Sequence, residues 1–108
     1  MTTFDERERA FENKFVHDQE LRFRATARRD KLLGLWAAEK LGLAAPEAEA
    51  YAKALVSLSV TLPKDDDLIA KLLSDFESKG VKQSEHQIRR TADELMRKAQ
   101  GQIASETY

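Results

Sequence analysis

The sequence contains no cysteine, which excludes disulfides, thiolate nucleophiles and cysteine-based metal sites. It has no run approaching the ~20 apolar residues of a membrane span, and it opens MTTFDERER, polar and charged where a secretory signal would need an apolar stretch. An excess of one charge is missing too: 18 lysines and arginines against 19 aspartates and glutamates leave a net charge of −1, whereas proteins that live on phosphate backbones are usually far more basic. Two prolines and four glycines leave long stretches without a helix breaker. None of the glycines builds a phosphate-cradling loop, and Ser, His and acidic residues assemble at no spacing that suggests nucleophilic catalysis. His17 and His86 lie far apart without neighbouring ligands, so no metal site is expected. These absences predict a soluble intracellular protein that is not an enzyme, needs no cofactor and does not insert into a membrane.

What is present favours helices. A chain of 108 residues, 42% hydrophobic and 34% charged, is sized for one domain with a core and a highly charged surface. Residues 4–41 read as a single amphipathic helix. At about 1.5 Å per residue it spans roughly 57 Å, against a diameter of roughly 30 Å for a compact domain of this length. One end must therefore outrun the rest of the molecule.

Thr3 with Glu6 fits a capping box that starts this helix. Its apolar stripe begins at residue 21, with Ala25, Leu32, Leu35 and Trp36 on one side and Leu33, Ala37 and Leu41 widening it, and Gly42 stops it. A second helix opens at Pro46 with the face Ala48, Tyr51, Ala52, Leu55 and Val56. Residues 56–62 (VSLSVTL) alternate as a strand would, but a lone strand has nothing to pair with. Asp65, Asp66 and Asp67 suit the start of a third helix, where carboxylates meet the helix dipole. They lack the glycine and terminal glutamate of a calcium loop. Leu68, Ile69, Leu72, Leu73 and Phe76 form its face up to Gly80. Ser84 with Gln87 makes a second capping box, and Ile88, Ala92, Leu95, Met96, Ala99 and Ile103 form a fourth stripe. The expected architecture is all-α: a four-helix bundle over 21–108, preceded by a partly mobile segment, 1–20, that continues into the first helix. Trp36, Leu55, Leu72 and Leu95 are expected to share one interior.

The N-terminal segment has the composition of a contact surface. Phe4, Phe11 and Phe15 lie along one helical face, and each can bury ~1.5 to 3 kcal/mol of apolar surface on a partner. Asp5, Arg7, Glu8, Arg9, Glu12 and Lys14 interleave them; Arg7 and Arg9 can fork onto carboxylates, and Glu8 and Glu12 can meet basic groups. Further along, Arg22, Arg24, Arg28, Arg29 and Lys31, with Phe23 among them, read as the polar face of the helix or a docking surface for an acidic partner. The alternative is a small nucleic-acid-binding or adaptor module built on 22–31, with Phe23 stacking a base.

The stretches FDERERAFE and KLLGLWAAE, the EAEAYAKALV of the second helix and the HQIRR of the fourth resemble the zeta subunit of bacterial F-type ATP synthases, a small inhibitor of ATP hydrolysis. The similarity covers essentially the whole chain. It implies a four-helix bundle whose N-terminal segment is the inhibitory element, mobile when free and helical when wedged into a catalytic interface, where it blocks rotation. It also implies the partners: the catalytic head with its alpha, beta and gamma subunits. The location implied is cytoplasmic, at the inner face of the plasma membrane through the synthase. No nucleic acid is expected as a partner.

Overall fold

A computed structural model describes residues 3–62 and 64–107, with side chains described over 17–62 and 64–106. These residues form four helices: α1 (Thr3–Lys40), α2 (Ala45–Thr61), α3 (Asp65–Ser78) and α4 (Glu85–Thr107). The sequence punctuation explains most boundaries. α1 ends because Gly42 turns to φ +75°, a left-handed conformation that side chains with a Cβ rarely adopt. The Gly42 amide then donates to the Glu39 carbonyl (3.0 Å) and the Leu43 amide to Ala38 (3.0 Å), the bond pair of a Schellman stop. α3 ends the same way: Gly80 is at φ +71°, its amide donates to Glu77, and that of Val81 donates to Phe76 (2.8 Å).

Pro46 sits in the first turn of α2. Of the strand-like residues 56–62, 56–61 belong to α2 instead, where the Ser59 and Thr61 hydroxyls donate to the carbonyls of Val56 and Leu58. The Ser84 capping box forms as read: the Gln87 amide donates to Ser84 Oγ (3.1 Å) and the Ser84 amide to Gln87 Oε1 (2.9 Å). The corresponding pair at Thr3 and Glu6 lies outside the described side chains.

α1 packs along both α2 and α4, and α3 lies on α4. Leu33, Leu55, Leu72, Phe76 and Ile88 form the centre of the core, with Trp36 and Leu95 half-buried against it. Trp36 meets Phe76 edge-on, ring centres 5.6 Å apart. The predicted stripe of α1 needs one correction. Among the described residues, the buried apolar side chains of α1 are Ala25, Leu33, Ala37 and Ala38, while Leu32, Leu35 and Trp36 are only half-buried. A helix flanked on two sides is covered where its neighbours approach closest, and small residues allow that approach. A Cβ on Gly34 would lie 2.7 Å from Ala52 Cα, so these two backbones all but touch.

Candidate partner interface

The bundle covers only part of α1. Among the described residues, Ala25 is its first buried side chain; over 17–24, Leu21 is half-buried and the rest are exposed. The backbone nonetheless continues as one helix out to Thr3, and the molecule extends 64 × 25 × 21 Å. No described side chain of α1 before Ala25 is therefore buried against the rest of the bundle. The predicted contact residues Phe4, Asp5, Arg7, Glu8, Arg9, Phe11, Glu12, Lys14 and Phe15 all belong to this length of helix. Their side chains lie outside the described residues.

The basic stretch 22–31 is divided by the fold. Arg22, Arg24 and Lys31 are exposed. Arg28 is half-buried and turned onto α4, where it donates to Gln102 Oε1 (2.8 Å) and pairs with Glu106 (2.8 Å). Its hydrogen bond to Glu106 holds the guanidinium above its usual range and the Glu106 carboxyl below its own. Arg29 is a correction to the expected docking face. It is 4% exposed and forked onto Asp65 at 2.9 and 3.3 Å, with its Nε on Asp30 at 2.7 Å. Burial works against its charge, but the bonds and charges of Asp65 and Asp30 outweigh that and raise its pKa. An arginine so enclosed clasps α1 to the start of α3 and is not available to a partner.

The acidic run 65–67 starts α3 as expected, but without a side-chain cap at Lys64. Asp66 accepts from Arg89 of α4 (2.7 Å), so two of the three carboxylates tie α3 to the other helices. Sequence reading missed this, since partners 36 and 23 positions away leave no local signature. It also missed Val60, which at 75% exposure stands in solvent beside Phe23 at 71%. Val60 follows Val56 by one turn, so the signal available was an apolar face running past the end of its cover. Among the described residues, no group of three or more His, Cys, Asp or Glu is placed to hold a metal ion, and no helix is long and apolar enough to cross a membrane.

No curated protein matches the chain. It is similar to a protein whose structure was solved in solution by NMR, with 37% identity and a TM-score of 0.69 over 80% of this chain and 98% of that one. A family described as ATPase inhibitor subunit zeta matches residues 1–102, a span that takes in the outrunning helix, the whole of α2 and α3 and most of α4. By that match, this chain belongs to the ATPase inhibitor subunit zeta family.

Proposed function

We propose that this chain inhibits ATP hydrolysis by an F-type ATP synthase through insertion of residues 1–20 between catalytic subunits of the head. One observation carries the reading: α1 is a continuous helix from Thr3 to Lys40 whose first buried side chain among the described residues is Ala25, which supports an outer half that meets a partner. The inserted helix prevents a catalytic interface from opening and so blocks rotation. It performs no chemistry and needs no cofactor, and the alpha, beta and gamma subunits of the head supply its binding surfaces. The protein would act in the cytoplasm, held at the inner face of the plasma membrane by the synthase. Insertion favours a helix already formed, because less conformational entropy is then lost on binding. The nucleic-acid reading loses support, because Arg28 and Arg29 are engaged within the fold and do not extend a cationic stripe.

Phe11→Asp or Phe15→Asp tests the proposal. Each variant should keep the melting temperature of the unaltered chain and raise the inhibitory concentration against the isolated head ten-fold or more, the factor for losing ~1.4 kcal/mol of binding. Undiminished inhibition by both variants would show that the Phe-bearing face is not inserted.

A further inference from the structure

Phe23 and Val60 come from different helices, yet they line one cleft of about 240 Å³ whose wall includes Ala27, Val56 and Leu68. On the other side of Phe23 a wider cleft opens toward α4, again walled by Ala27 and Val56 and edged by Arg24, Arg28 and Lys31. Single exposed apolar residues are ordinary on a protein surface, whereas apolar groups sharing a groove with a polar rim mark an interaction surface. Here the rim is cationic. Arg24, Lys31 and Lys64 are exposed along the clefts, while the acidic groups there are committed: Asp30 and Asp65 to Arg29, and Glu106 to Arg28. Glu20 lies one turn further out on α1 and offsets only part of this charge.

We infer that this double cleft is a second docking surface, which takes an acidic amphipathic segment of the ATPase head. An apolar side chain of that segment sits between Phe23 and Val60, and its carboxylates face Arg24, Lys31 and Lys64. The inference rests on the inhibitor reading, since the head is the partner in both. Position supports it: Phe23 follows Phe15 by eight residues, about 12 Å along the helix, so a head that grips the outer half of α1 is already beside the groove. A second contact made at such high effective concentration strengthens binding well beyond its own affinity, chiefly by slowing release.

The test uses the full chain with Phe23→Ser and Val60→Ser, singly and together, and separately Arg24→Glu with Lys31→Glu. All four positions are exposed, so the melting temperature should not change. Release of each labelled protein from the isolated head is timed at low and moderate salt. The double serine variant should leave the head at least ten-fold faster. The charge variant should also leave faster, and its release should depend less on salt. If the unaltered chain inhibits while both variants are released at its own rate, the second docking surface is wrong and the inhibitor reading stands. If the unaltered chain does not bind the head, both fall together. Two outcomes would reassign the groove and overturn the inference: a dimer of the unaltered chain that the serine changes dissolve, or single-stranded DNA binding that they remove while head binding is untouched.

Discussion

Arg29 and Asp30 are the buried charges among the described residues, at 4% and 2% exposure; they pair with each other, and Asp65 holds Arg29 from its other side. Removing one partner of a buried pair strands a charge away from water, which typically costs 3–5 kcal/mol, whereas replacing both with apolar groups can be neutral. Arg29→Ala should therefore cost about 3 kcal/mol in urea unfolding, and Arg29→Met combined with Asp30→Leu should recover most of it. A loss below ~1 kcal/mol in the single variant would mean that Asp30 regains water or another partner. Tyr51 is half-buried and also leans on a carboxylate. Its hydroxyl donates to Asp75 at 2.6 Å. Burial first, and then the bond and charge of Asp75, push its pKa well above the usual value, about 10 for a phenol. The fold thus favours the neutral phenol, and the stability gained is fully present below about pH 10 and lost as pH rises from there through the folded-state value. Tyr51→Phe should flatten that alkaline decline. The alkaline absorbance of the unaltered chain minus that of the variant should show Tyr51 ionising late. Ionisation at an ordinary pH would contradict the bond to Asp75.

Two glycines inside helices should respond to alanine with opposite signs. Gly34 lies where α1 meets α2, and an added Cβ would fall 2.7 Å from the Ala52 backbone; a contact that short must force the helices apart. Overpacking of this kind costs ~1 to 3 kcal/mol, more than the ~1 kcal/mol of helix propensity gained. Gly101, in α4, has nothing within 4 Å of its added Cβ, so only the propensity gain of ~1 kcal/mol remains. Thermal unfolding of Gly34→Ala and Gly101→Ala should accordingly show one lowered and one raised midpoint. A raised midpoint for Gly34→Ala would place the crossing of the two helices elsewhere. The helix boundaries were legible because their causes are local: Gly42, Pro46, Gly80 and the Ser84–Gln87 box each act within a turn or two. Which side of α1 is covered was less legible, because Gly34, Ala37 and Ala38 contribute little hydrophobicity, while the larger Leu32 and Leu35 stay half-exposed. The clasp of Arg29 and Arg89 on Asp65 and Asp66 was not legible at all, since it depends on where α3 lands.

At the scale of the whole molecule, we propose separate duties for the bundle and the outer half of α1. The length mismatch between a helix of roughly 57 Å and the bundle beside it was readable from the sequence alone, and it is the feature on which the proposed partner contact rests. What such a helix meets is set by its side chains together with another protein's surface, which no pattern within one chain contains. Among the described side chains every buried residue lies beyond residue 20, as do both Schellman stops and the Ser84 box, so the bundle should not need the outer half in order to fold. Deleting residues 1–18 and titrating the remainder against ATP hydrolysis by the isolated head, with thermal unfolding run in parallel, tests this division most directly: the truncated chain should melt cooperatively near the temperature of the full chain and leave hydrolysis unaffected, whereas full inhibition by the truncated bundle would put the inhibitory surface on the bundle itself and contradict insertion.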